Sequence, residues 1–459
     1  MTHARAPRYD RAAMRFHLGF WAFVLAVAVA AAMARADALP RRGSMGAVMA
    51  AGPNATVVVS QVLPNSAAAA GGVEAGDVVT AVDGSPVATV PALLAAIHRP
   101  AGQTVTLTIN RNGAVRQLTF ALHEAARESD PAVETIYDSI SVDGSLRRTL
   151  VTVPLGVSGR RPAVLFVGGI GCYSIDNALD RNDAYHALAL DLSRRGFVTM
   201  RVEKSGLGDS QGAACSSVDF DAESRSYAVA LDALRTNDRV LPGRVYVFGH
   251  SIGGTIGPRL AVPGSGVAGL IVAETVGIDW FTYEMINERR QAVLDNLTPA
   301  QIDADAAGKE FCMHEVLIAK KTTVQAVAEN PACNDYRYPA ADAYMQQVAA
   351  LNVADAWMKL DVPVLAIYGR ADFITDESDH RRIVAIANAA HPGSATLATI
   401  DDMDHYLVVS PSQAASFARV RKAGAAGPYN EKLSATIAGW LCERERCTEP
   451  PAAAPTALR

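Results

Sequence analysis

The stretch RVYVFGHSIGGTIGPRL, residues 244–260, decides how the chain is read. Apolar and aromatic residues run into Gly249-His250-Ser251-Ile252-Gly253, and a stretch of helical composition follows. This is G-x-S-x-G in strand-turn-helix context. So sharp a turn forces the serine into strained dihedrals, and the flanking glycines let strand and helix approach each other closely. The hydroxyl then stands exposed at a helix N-terminus, where partial positive charge favours a developing oxyanion. Ser251 is therefore the candidate nucleophile. The alternative is a glycine-rich turn without chemistry.

A serine hydroxyl needs a base, and the base needs an acid to orient it. On a doubly wound sheet the expected order is Ser, then Asp or Glu after a later strand, then His near the end. VPVLAIYGRADFIT, residues 362–375, places Asp372 just beyond a strand, and ATIDDMDHYL, residues 398–407, places His405 beyond the final one. Among the competitors, His380 and His391 lie on or beside the helix after Asp372 and read as surface residues. His250, inside the turn, should point away from the serine, and Asp402 and Asp404 should only shape the loop of His405. The oxyanion donors are expected to be the backbone N–H of Ile252 and, from the GGIGC loop at 168–172, that of Ile170.

Working outward, residues 133–442 alternate strands with helices, which predicts an α/β fold, a doubly wound and mostly parallel sheet. Strands are expected at 139–142, 148–153, 163–167, 197–202, 245–248, 269–273, 364–368 and 395–400. Helices are expected at 183–194, 220–235, 252–260, 377–390 and 431–441. Residues 280–357 interrupt the alternation with helical text and read as an inserted lid. Its Glu284 and Glu288 read as solvated, the alternative being a site for a substrate amino group.

Residues 133–441 resemble the α/β-hydrolase superfamily, nearest to its esterase and serine-aminopeptidase-like branches. The resemblance implies a covalent acyl-enzyme route through Ser251, His405 and Asp372, on a small acyl or peptide substrate. Glu274 stands where some relatives of this fold carry their acid. RVEKSGLGDSQG, residues 201–212, matches relatives with an acidic residue followed by Gly-x-Gly-x-Ser, here Glu203 and 206–210, and reads as a structural turn. Gly168 replaces the histidine that usually opens the donor loop.

Residues 42–123 differ in texture: β-branched runs at 56–62, 78–82, 104–109 and 115–122 are broken by Asp83-Gly84 and Asn112-Gly113, with one helix at 91–98. The text VLPNSAAAAGGVEAGDVVTAVDGSPVATVPALLAAI, residues 62–97, resembles a PDZ domain of the kind found in bacterial periplasmic proteases. The resemblance implies capture of a peptide as an added strand, its carboxylate held at Met45-Gly46-Ala47. The alternatives are a module that only packs on its neighbour, or a binding protein in which the hydrolase fold is an inactive scaffold. A polar connector, 124–132, joins the two regions.

At 459 residues, 50% hydrophobic and 19% charged, the chain is long enough for more than one folded unit. A net charge of -5 gives no sign of a nucleic-acid binder. Residues 1–36 read as an export signal: basic residues, an apolar run at 20–33, then Ala34-Arg35-Ala36. An uncleaved anchor is the alternative, and only then would the protein be held on a membrane. Either reading puts the remainder in the periplasm or outside the cell. Six cysteines suit such a compartment, with pairs expected as Cys442–Cys447, Cys312–Cys333 and Cys172–Cys215, against six free thiols. No spacing suggests zinc, the glycines form no phosphate loop, and no cofactor is called for. Residues 443–459 read as a tail.

Overall fold

The computed structural model describes residues 39–447, apart from 53–55, 179 and 181. The signal or anchor expected at 1–36 lies outside the described residues, as do residues 448–459 of the tail. Among the described residues no helix is long and apolar enough to cross a membrane.

The β-rich region is an antiparallel sheet of β1 (Ala47–Gly52), β2 (Thr56–Val62), β3 (Val78–Val82), β4 (Thr104–Arg111) and β5 (Ala114–Ala121), in that spatial order. Two short helices, α1 (Ala67–Ala70) and α2 (Val90–Ala96), accompany it. Asn112 and Gly113 both take positive φ, 53° and 85°, which is the two-residue hairpin turn that Asn-Gly favours. Alternate residues Val57, Val59, Leu107 and Ile109 bury beneath Leu93 of α2. The edge strand β1 has no counterpart among the expected strands, because its sequence AVMAAG contains a single β-branched residue.

The larger region is built on eight strands: β6 (Val133–Val142), β7 (Ser145–Pro154), β8 (Arg161–Val167), β9 (Val198–Val202), β10 (Val240–His250), β11 (Val267–Ala273), β12 (Val364–Gly369) and β13 (Ala395–Ile400). Their order is β13-β12-β11-β10-β8-β9-β7-β6. Six are parallel, and the antiparallel hairpin β6–β7 closes one edge. Strands such as Val364–Gly369 are buried at every residue, since helices cover both faces. One face carries α4 (Phe220–Arg235), α5 (Gly253–Leu260) and α11 (Glu377–Ala390). The other carries α3 (Ala184–Arg194) and α13 (Glu431–Glu445). Between β11 and β12 the chain inserts α6 (Trp280–Leu294), α7 (Pro299–Met313), α8 (Thr323–Glu329), α9 (Asp342–Ala349) and α10 (Val353–Met358). A further helix, α12 (Gln413–Ala423), has no counterpart in the expected set. Its text is polar, and its start is fixed by Ser412, which accepts the Ala415 N–H.

The described residues from Arg41 onward form one compact unit. The connector, expected to be a polar link, is pinned into the larger region. Glu128 is buried and receives both Arg201 guanidinium nitrogens, at 2.9 and 2.5 Å. Arg41 bridges Asp176 (2.5 Å) and Asp209 (2.6 Å), both buried, and the His98 ring of the β-rich region donates to the Gly208 carbonyl at 2.6 Å. Removing one partner from such a buried ionic cluster costs about 3–5 kcal/mol. Disulfides join Cys172 to Cys215, Cys312 to Cys333 and Cys442 to Cys447.

Candidate active site

Strand β10 delivers Ser251 at φ 54°, a left-handed conformation that a serine adopts only under constraint. The glycines explain how the turn is tolerated. A Cβ on Gly249 would strike the Gly253 carbonyl, and one on Gly253 would strike the Val167 carbonyl of β8. The elbow is locked from below, because Ser251 donates its N–H to Ala273 (3.0 Å) and accepts the Thr275 hydroxyl at its carbonyl (2.7 Å).

The structure brings together the three side chains singled out in the sequence. His405 Nε2 lies 3.1 Å from Ser251 Oγ, and His405 Nδ1 lies 2.9 Å from Asp372 Oδ2. Asp372 is fully buried at the end of β12. Its carboxylate accepts the N–H of Ile374 (2.6 Å) and of Thr375 (3.0 Å), and the Thr375 hydroxyl (2.5 Å). Burial alone would raise its pKa, but the His405 ring beside it and these hydrogen bonds prevail and hold it well below the usual carboxylate range. Asp372 is therefore an anion that fixes Nδ1 as the protonated nitrogen and leaves Nε2 free to take a proton from the serine.

Of the competing residues around these three, His380 alone departs from its sequence reading. His250 makes no hydrogen bond to Ser251. It bridges, its Nε2–H donating to the His405 carbonyl (2.7 Å) while Nδ1 accepts the Tyr185 hydroxyl (2.6 Å). Burial, then the neighbouring His405, pushes its pKa down to about 3, so it is a neutral strut. His380, expected at the surface, is fully buried: α11 turns it inward, where it accepts the Thr275 N–H (3.1 Å) and donates to the Asp376 carbonyl (2.9 Å). His391 is exposed. Asp404 is buried and shapes the His405 loop, accepting the Tyr406 N–H (2.9 Å), the Ser416 hydroxyl (2.6 Å) and Arg419. Asp402 ties the same loop to Asn430 and Lys432.

Glu274 follows β11 and is fully buried beside Asp372, with one oxygen accepting the Gly369 N–H at 2.6 Å. Burial, then the Asp372 charge, raises its pKa well above the carboxylate range. The two neighbouring carboxyl groups shift in opposite directions, which places the proton on Glu274 and the charge on Asp372.

The donor loop after β8 lies against the elbow, such that a Cβ on Gly169 would sit 3.3 Å from Ser251 Cβ. The Gly168 and Gly169 N–H groups are engaged by the hydroxyls of Tyr227 (3.3 Å) and Tyr185 (3.1 Å). Among the described residues, the Ile170 and Ile252 N–H groups have no backbone acceptor. Glu203 of the Gly-x-Gly-x-Ser segment accepts the Ser174 hydroxyl (3.0 Å) and the Ile175 N–H (3.2 Å) on the far side of this loop. Burial raises its pKa to about 7 despite Arg42 nearby.

Above Ser251 and His405 opens a cavity of about 1510 Å³ that the lid helices help to line. Trp280, Tyr283, Tyr338, Phe373, Tyr406 and Phe417 make much of its wall aromatic. Glu284, expected to be solvated, is buried there instead, because Lys309 of α7 sits 2.7 Å from both Glu284 and Glu288 and offsets the cost of removing them from water.

The parallel sheet, the strained elbow and the serine-histidine-aspartate line define a serine hydrolase of the α/β-hydrolase class. The model described as serine aminopeptidase, S33, matches residues 178–411, just over half of the chain, and the chain belongs to that family. A PDZ-domain model matches residues 58–111. Esterase EstD of Thermotoga maritima is 22% identical over 341 residues, 73% of this chain and 75% of that protein. The periplasmic serine endoprotease DegP of Escherichia coli strain K12 is 40% identical over 70 residues, 15% of this chain and 15% of that protein. The solved structure of Est1E from Butyrivibrio proteoclasticus aligns over 68% of this chain and 99% of its own, at 14% identity and a TM-score of 0.42.

Proposed function

We propose that the protein is an exported serine esterase that works through an acyl-enzyme, with Ser251 as nucleophile, His405 as general base and acid, and Asp372 as the group that orients His405. The observation that carries this reading is the unbroken line from Ser251 Oγ through His405 to the Asp372 carboxylate, at 3.1 and 2.9 Å. Ser251 Oγ adds to the ester carbonyl as its proton passes to His405 Nε2. The tetrahedral oxyanion is met by the N–H groups of Ile252 and Ile170, each donor of this kind being worth about 10²–10³ in rate. His405 then returns the proton to the leaving alcohol, and water repeats the sequence to release the acid.

Ester is favoured over aminoacyl amide because Glu284 and Glu288 both lean on Lys309, so neither is held ready for a substrate ammonium group. Export is supported by three disulfides, which persist in oxidising compartments. The PDZ domain offers the free edge of β1, beside the Met45-Gly46-Ala47 turn, for an extended peptide that recruits a partner or regulates access. The test is a comparison of p-nitrophenyl acyl esters with aminoacyl p-nitroanilides. Turnover of esters that disappears in Ser251→Ala supports the reading, and exclusive turnover of the anilides overturns the choice of ester.

A further inference from the structure

Gly168 brings no side chain to the mouth of the donor loop, yet the loop must present one peptide N–H in a fixed direction. A residue that no step above employs lies directly behind it. Lys204 follows β9 by two residues and is buried. Its Nζ donates to the Gly169 carbonyl at 2.7 Å and to the Gly171 carbonyl at 3.0 Å, and lies 3.0 Å from Glu223 Oε1. Two of the three ammonium hydrogens are used on these carbonyls, and the Glu223 carboxylate pairs with the charge. The Tyr173 ring stands 5.2 Å from the same nitrogen, and its hydroxyl donates to the Gly169 carbonyl at 3.1 Å.

The two carbonyls that Lys204 holds belong to the residues on either side of Ile170. In a trans peptide the C=O and the following N–H point in opposite directions across one rigid plane, and the described residues contain no cis bond. Fixing the Gly169 carbonyl on Lys204 and Tyr173 therefore also fixes the Ile170 N–H, turning it away from Lys204. Rotation of that plane would break the two hydrogen bonds that the Gly169 carbonyl accepts from Lys204 and Tyr173.

We infer that Lys204 is a positioning residue for the oxyanion site: its clamp on Gly169 and Gly171 aims the Ile170 N–H at the tetrahedral intermediate. Lys204 touches no substrate and acts only through the peptide it holds. The inference rests on the acyl-enzyme reading above and names the part of the fold that makes its second donor effective. The Glu223 partner neutralises the ammonium, so the clamp adds directed hydrogen bonds without an uncompensated buried charge.

The test uses the full chain and the variants Lys204→Met, Lys204→Met with Glu223→Gln, and Tyr173→Phe. The double variant leaves no unpaired carboxylate, and Tyr173→Phe removes only one hydroxyl from the same carbonyl. Each is assayed on p-nitrophenyl acetate and titrated with an alkyl trifluoromethyl ketone, which adds to the serine and carries the oxyanion, and with the corresponding secondary alcohol, which cannot. Loss of a whole oxyanion donor costs about 10²–10³, so a misaimed one is expected to lower kcat roughly 10- to 100-fold with KM within about twofold. Affinity for the ketone should fall by the same factor while affinity for the alcohol holds. Lys204→Arg should recover part of the loss. Tyr173→Phe should show a smaller loss of the same pattern, and serves if the lysine variants do not fold. Unchanged ketone affinity in a folded variant, or a loss confined to KM, overturns the inference. Residual turnover in Ser251→Ala would instead overturn the acyl-enzyme reading, so the two failures are distinguishable.

Discussion

Replacing Glu274 with glutamine gives a prediction whose size follows from its surroundings. Glu274 is fully buried, receives the Gly369 N–H at 2.6 Å, and faces the Asp372 carboxylate. Glutamine reproduces the neutral acid: its carbonyl can accept from Gly369 and its amide can donate to Asp372. Activity should stay within about threefold of wild type, because the Asp372–His405 geometry is kept. Stability should behave differently. The folded pKa of Glu274 lies well above its value in the unfolded chain, so above roughly pH 4.5 the unfolded state releases a proton that the folded state retains. Stability contributed by this group is therefore complete below that pH and is lost as pH rises, by about 1.4 kcal/mol per unit. Glutamine does not titrate, so the advantage of Glu274→Gln over wild type should grow steadily as pH rises above 5, by at most about 1.4 kcal/mol per unit, until the folded pKa of Glu274 is reached. Asp372 shifts the other way and has made its full contribution above pH 5, while His250 and Glu203 are common to both proteins and cancel in the difference. Urea or guanidinium unfolding at four pH values, with disulfides intact, measures it. Parallel curves for the two proteins would mean that Glu274 is ionised in the fold, and the proton assignment would be wrong.

Four other outcomes can be checked directly. Asp372→Asn should remain folded yet lose roughly 10⁴ in kcat, because the amide cannot stabilise the imidazolium and favours the wrong tautomer of His405. Gly253→Ala should cost about 1–3 kcal/mol in an unfolding titration and remove most activity, since its Cβ drives into the Val167 carbonyl beneath the elbow. Cys172→Ser with Cys215→Ser opens a loop of sequence separation 43 and should lower stability by about 4 kcal/mol on chain-entropy grounds, read from the guanidinium midpoint. Arg41→Ala strands Asp176 and Asp209 without their shared partner and should cost about 3–5 kcal/mol, partly restored by adding Asp209→Asn.

What the sequence made legible was whatever local rules control. The central strands of the larger sheet are buried on both faces, so 364–369 stands out as an apolar run, and the elbow is marked by glycines that no other residue could replace. Asp372 and His405 were readable because the connectivity of a doubly wound sheet constrains where each falls. What escaped depends on contacts between distant segments. Lys204 sits in a turn motif like many others, and only folding sets its nitrogen against two carbonyls some thirty residues earlier. Glu128 looks like a linker residue until Arg201 arrives, and Glu284 looks solvated until Lys309 does. His380 was misjudged because a histidine on a polar helix usually faces water, whereas here Tyr368 and Thr275 enclose it.

The most direct test of the chemistry is intact-mass and peptide analysis of the purified protein after a brief exposure to p-nitrophenyl acetate at mildly acidic pH, where deacylation is slow. The expected result is one acetyl group on the peptide carrying Ser251, formed together with a stoichiometric burst of p-nitrophenol, and neither signal in Ser251→Ala. An undiminished burst in Ser251→Ala, or acetyl found on another residue, would contradict the assignment of Ser251 as the nucleophile.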